Sequence, residues 1–263
     1  MCSKSLNWKS VNAAVELIGK EFETNNYGKC VVTEYKDKNN VTVMFFEPKC
    51  YVKCLTSNLR KGNVRNPMFP SFYSKGYLGV GKYDSRNNSA FNIWMGILIR
   101  LNDNVSRIKQ PTYNDVDICE EWLDFQNFAS WCHNQDWFSM KDGKGKGYQL
   151  DKDILVKGNK LYSPETCCFV PQEVNKLLTN RRNDRGMHPI GVTYEKDRCR
   201  FTAQILCHGK HKRLGSFGTA VEAFQVYKEA KESYIKEVAE KWRGKISDQA
   251  YESLIKWEIS IDD

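Results

Sequence analysis

Apolar and polar residues alternate most clearly between Gly191 and Phe217. Phe201, Ala203 and Ile205 alternate with Arg200, Thr202 and Gln204. Strand side chains point to opposite faces with period two, so this stretch predicts a strand with one apolar and one polar, basic face. Three strands are expected, at Gly191 to Lys196, Cys199 to Leu206 and His211 to Phe217, separated by the short polar breaks Lys196-Asp197-Arg198 and Cys207-His208-Gly209. The period then changes. Ala220, Ala223, Phe224, Tyr227, Ala230, Tyr234 and Val238 recur at helical spacing, and Thr219 followed by Glu222 is a capping-box signature. The economical arrangement is an antiparallel three-stranded sheet with its apolar face on this helix. That leaves Arg200, Thr202, Gln204, His211 and Arg213 on the open face.

Upstream the pattern predicts several further segments. Leu6 to Phe22 reads as an amphipathic helix with Trp8, Val11, Ala14, Val15 and Ile18 on one side. Cys30 to Tyr35, Val41 to Phe46 and Cys50 to Leu55 read as strands of a small meander, followed by the basic residues Arg60, Lys61 and Arg65. Pro67, Pro70 and the glycines at 76, 79 and 81 mark a boundary. Beyond it come an apolar helix at Phe91 to Arg100 and a short strand at Asp117 to Cys119. Trp122, Phe125, Phe128 and Trp131 then stand at helical spacing and are expected in the core. The expected class is α+β in three parts, 1–75, 76–180 and 181–263.

Charge sharpens this picture. Between Lys176 and Gly215 ten lysines and arginines face three acidic residues, an excess of seven in a chain whose net charge is +8. Such clustering is the footprint of phosphate binding. It nominates Arg181, Arg182, Arg185, Arg198, Arg200, Lys212 and Arg213, with Arg60, Lys61 and Arg65 as a second basic edge. The ten cysteines form no CxxC pair and are expected as buried thiols. No apolar run approaches the roughly 18 residues of a membrane span. The N-terminal MCSKSLNWKS has no apolar stretch of a secretory signal. A cytoplasmic protein, in a bacterial host, and no membrane partner are the expectation.

Gly191-Val192, Phe201-Thr202-Ala203-Gln204-Ile205, Leu214-Gly215-Ser216-Phe217, Thr219, Glu222-Ala223 and Tyr227 resemble the plant ethylene-response-factor type DNA-binding domain, which also occurs at the C-terminus of phage homing endonucleases. The resemblance implies a sheet lying in the DNA major groove, with Thr193, Glu195, Arg200, Thr202, Gln204, His211 and Arg213 toward the DNA. Members of that family often carry arginines where this chain has Thr193 and Glu195, and tryptophan where it has Arg213. The resemblance therefore carries the docking surface and not the base preference.

The N-terminal meander is similar to small modules that accompany phage homing endonucleases. Residues Tyr148 to Asn175, with the preceding W-x-x-x-x-x-R and C-x-E-W-x-x-F-x-x-F segments, resemble phage HNH-type endonucleases. Such a nuclease needs a histidine to activate water and a divalent metal to stabilise the leaving oxygen. Here Lys152 stands at the base position, and a lysine side chain is ordinarily protonated near neutrality. Asp151, Lys152, Asp153 and Asn175 are the catalytic candidates, and Asp151, Asp153 and Asn159 the metal candidates. The expected function is sequence-specific binding of double-stranded DNA by a homing-endonuclease-derived repressor that needs no cofactor. The alternative is an active endonuclease using Mg2+ or Mn2+. A virion or RNA-binding protein is a weaker third class, since it would place stacking aromatics on the basic face.

Overall fold

A computed structural model of the chain describes residues 8–102, 115–178 and 187–263. The class is α+β, with helices and several separate antiparallel sheets. The described residues fall into two units, one within Met1–Asn114 and Ile118–Ser130, the other within Asp115–Asp117 and Trp131–Asp263.

The first unit begins with helix α1 (Trp8–Leu17). The helix is shorter than its apolar spacing predicts, because Gly19 takes the left-handed conformation at φ 82° and turns the chain. Of the expected apolar side, Val15 and Ile18 are 80% and 51% exposed, while Leu17 is buried. The residues after the turn form an unexpected strand, β1 (Glu21–Thr24). It joins β2 (Gly28–Asp37), β3 (Asn40–Phe45) and β4 (Cys50–Cys54) in a four-stranded antiparallel meander. The Asp37 carboxylate accepts the Asn39 N–H at 2.7 Å and fixes the β2–β3 turn. Cys30, Val32, Val41, Val43 and Phe45 alternate inward over Leu59 of α2 (Thr56–Arg60).

The same unit contains α3 (Ser89–Asn102) and a single 3-10 turn at Glu120–Leu123. The two-residue strand β5 (Asp117–Ile118) and α4 (Phe125–His133), each divided between the two units, follow the expected order. The aromatic spacing from Trp122 to Trp131 does not lie on one helix. Asp124 takes an extended conformation, and its carboxylate caps the Gln126 N–H at 2.8 Å. Trp94, Trp122, Phe125 and Phe128 are nonetheless fully buried, and the Trp94 indole donates to the Trp122 carbonyl at 2.7 Å.

In the second unit β6 (Gln149–Asp151) pairs directly and antiparallel with β8 (Cys168–Val170); the short β7 (Leu161–Tyr162) comes between them in the chain, and α5 (Gln172–Leu177) follows. The chain continues into the expected sheet of β9 (Val192–Glu195), β10 (Arg200–Cys207) and β11 (Lys210–Phe217), with β10 in the centre. His208 and Gly209 at φ 50° and 73° make the two-residue loop that matches strand twist. Helix α6 (Ala220–Trp242) starts at the capping box read from Thr219 and Glu222. Ala223, Phe224 and Tyr227 of α6 and Val192, Ala203 and Ile205 of the sheet are all buried. Ile235, Val238 and Ala239 extend the core toward α7 (Asp248–Ile255), where Ala250 and Leu254 are buried.

The expected boundary near residue 180 is bridged by hydrogen bonds within this unit. The Glu173 carboxylate receives the Lys241 ammonium at 2.6 Å and the Trp242 indole at 2.9 Å. The Lys231 ammonium donates to the Leu177 carbonyl at 2.7 Å, and the Tyr148 hydroxyl to the Lys245 carbonyl at 2.9 Å. Among the described residues no helix is long and apolar enough to cross a membrane.

Candidate nucleic-acid interface

Register decides which side chains share the open face of the C-terminal sheet. Arg200 pairs with Glu195 and Thr202 with Thr193 across β9 and β10. Gln204 pairs with Arg213 and Leu206 with His211 across β10 and β11. Partners directly opposite point to the same side, so these eight residues lie on one face. A bulge between Ala203 and Gln204 shifts the register and leaves Leu214 as the extra residue. Its consequence is that Lys212 lies opposite Ile205. Lys212 is exposed and has the parity of the helix side, as its place between His211 and Arg213 predicts.

The face is built around one carboxylate. Glu195 Oε1 accepts from the Thr202 hydroxyl at 2.7 Å and lies 3.1 Å from Arg213 Nη2. The same Nη2 donates to Thr202 Oγ1 at 3.2 Å. Arg198, on the single turn before β10, places Nη1 3.6 Å from Glu195 Oε2. The Thr202 hydroxyl first, then the Arg213 and Arg198 charges, hold the Glu195 carboxyl below its ordinary pKa. Thr202 is only 4% exposed. Its hydroxyl bridges strands, and that is a structural task, unlike the groove contact expected of it.

Thr193, Arg200, His211 and Arg213 are exposed and Gln204 is half-buried. Arg200 Nη2 reaches the Ser216 carbonyl at 3.3 Å. Leu206, 53% exposed, is an addition that sequence reasoning missed, although it continues the alternation of Arg200, Thr202 and Gln204. Phe201 is half-buried with its ring 4.9 Å from that of Tyr194, and both have the helix-side parity. Arg181, Arg182 and Arg185 lie outside the described residues. In the first unit Arg60, Lys61 and Arg65 are all exposed, and Arg65 Nε donates to the Tyr27 hydroxyl at 2.9 Å.

The other candidate cluster is the loop after β6. Asp151 Oδ1 accepts the backbone N–H groups of Asp153 and Ile154, each at 2.8 Å. Burial pushes the Asp151 carboxyl above its ordinary pKa, against the pull of those two N–H groups. Lys152, 8% exposed, turns its ammonium to Asp153 Oδ1 at 2.7 Å and to the Asn159 carbonyl at 2.8 Å. The Asn159 amide donates to the carbonyls of Lys152 and Leu161 and closes the loop. Asn175 donates to the Gln149 side chain at 2.8 Å. The structure thus brings Asp151, Lys152, Asp153 and Asn159 together, and leaves Asn175 to another partner.

As a metal cradle this set does not fit. Asp151 caps backbone, Asp153 faces an ammonium, and Asn159 is engaged by its own loop. Among the described residues no three His, Cys, Asp or Glu side chains converge on one point. Cys167 and Cys168 line the same interior, and burial pushes the Cys167 thiol up to about 12. Both thiols are buried, and burial favours their neutral form. No protein-family model matches the chain, and neither does any curated protein or solved structure.

Proposed function

We propose that this chain is a sequence-specific double-stranded DNA-binding protein, derived from a homing endonuclease, that acts by occupying its site as a transcriptional repressor does. The observation that carries the proposal is the open face of the C-terminal sheet, where Arg200, His211 and Arg213 stand exposed beside Gln204. A β-element of this width enters a major groove, and forks and amides are the groups that read base edges there. The resemblance of this stretch to ethylene-response-factor type domains points the same way. Supporting occupancy without cleavage is the loop after β6, whose carboxylates cap backbone or face Lys152.

Two measurements test it. Protection and strand scission are mapped together on phage DNA, with and without Mg2+ or Mn2+. The expected result is a protected site of fixed sequence that needs no metal. Metal-dependent cuts at a fixed position, lost in Asp153→Ala, would restore the enzyme. In the second, Arg200→Ala, Gln204→Ala and Arg213→Ala should each weaken the specific site by about 1–3 kcal/mol and relax its sequence preference. Unchanged affinity in any two of the three would mean that another surface reads the DNA.

A further inference from the structure

Glu195 is the odd group on a basic face. A carboxylate turned toward a polyanion is repelled unless cations neutralise it. Here it lies within 3.1 Å of one guanidinium and 3.6 Å of another. Its side chain keeps 31% exposure and that of Arg213 46%, so neither is sealed off by the contact. Both bonds of Arg213 to Glu195 and its bond to Thr202 use Nη2 alone. The guanidinium is thereby held at one nitrogen, and its Nε and Nη1 donors take no part in these contacts. Acceptor and donors stand side by side, one on each outer strand, joined through Thr202 on the central strand.

A C·G pair shows the complementary pattern in the major groove. Cytosine offers the N4 donor, and guanine the O6 and N7 acceptors. We infer that Glu195 and Arg213 form one reading unit for a C·G pair, with Glu195 accepting from cytosine N4 and Arg213 donating to guanine. Thr202 is the positioning residue that fixes their spacing. The inference rests on the DNA-binding reading above and names a specificity determinant within it. Arg198, at 3.6 Å, neutralises the carboxylate without taking the place of the base.

The test is selection from a randomised duplex pool with the full chain, followed by affinity measurements on the selected site and on unrelated DNA. Wild type should enrich a motif with a C·G pair whose preference falls in Arg213→Ala. In Glu195→Gln and Glu195→Ala, discrimination at that one pair should drop by about tenfold. Affinity for unrelated DNA at low salt should rise, because a negative charge is removed. These opposite changes separate a reading role from a merely structural one, which would lower both. Thr202→Val keeps every charge, so it should lose the C·G preference with nonspecific affinity unchanged. A motif whose C·G preference survives both Glu195 variants, or one lacking any C·G pair sensitive to Arg213→Ala, would overturn the inference while leaving DNA recognition intact. A wild-type chain that enriches no motif would overturn the DNA reading itself.

Discussion

Gly191→Ala should cost the second unit about 2–5 kcal/mol and with it the DNA binding proposed for the C-terminal sheet. Gly191 sits at φ 75°, and a Cβ there would fall inside the Tyr227 ring. Two penalties combine. A left-handed conformation costs an L residue roughly 1–2 kcal/mol, and forcing volume into a packed core costs about 1–3 kcal/mol more. The second part has a relief. Trimming the ring in Tyr227→Ala makes room for the new methyl, so the double variant should be less destabilised than the two single effects together predict. Denaturant unfolding of the four proteins measures the coupling. Strict additivity would mean that Gly191 matters for its backbone alone.

At Asp151 the two obvious substitutions should part company. Asp151→Ala leaves the N–H groups of Asp153 and Ile154 without their shared acceptor, each originally at 2.8 Å. A buried unsatisfied donor costs about 1–3 kcal/mol, and two are at stake, so a loss of roughly 2–4 kcal/mol is expected. Asp151→Asn keeps an acceptor oxygen in place and carries no charge to desolvate. Its stability at neutral pH should equal or exceed that of the wild type. The pH dependence has a definite sign. Burial raises the Asp151 pKa above its ordinary 3.8, so the folded chain holds the proton more tightly than the unfolded one. Stability from this group is therefore greatest at low pH and falls as pH rises through the raised pKa. Asp151→Asn should lack that fall, which unfolding curves across acid pH measure directly. An equal loss in both variants would show that the carboxylate charge itself holds the loop.

The elements of the C-terminal half were legible because alternation, turn residues and the Thr219–Glu222 capping box all agreed. The Glu195–Thr202–Arg213 cluster was only half legible. Alternation puts each residue on the right face, but their meeting depends on register across three strands and on a bulge that no local signal marks. Lys212 keeps the helix-side parity that its place between His211 and Arg213 predicts. In the N-terminal part the apolar spacing ran on past Leu17, and one glycine at φ 82° overruled it. The Trp122 to Trp131 spacing predicted burial correctly at Trp122, Phe125 and Phe128, yet not a continuous helix, since Asp124 interrupts it with its own cap. At Asp151 the reason is related. An aspartate that caps a buried turn and one that waits for a metal have the same letter, and only its partners distinguish them.

The bridges from Glu173 to Lys241 and Trp242, and from Lys231 to Leu177, bear on heredity as well as on packing. A recombinant joined near residue 180 to a foreign partner would inherit α6 without the acceptors that Lys231 and the Trp242 indole meet here. The C-terminal sheet with its helix and the segment before residue 180 are thus tied into one unit by side-chain contacts. A lineage that shuffled the C-terminal sheet and helix freely would have to carry Gln172–Leu177 along with them.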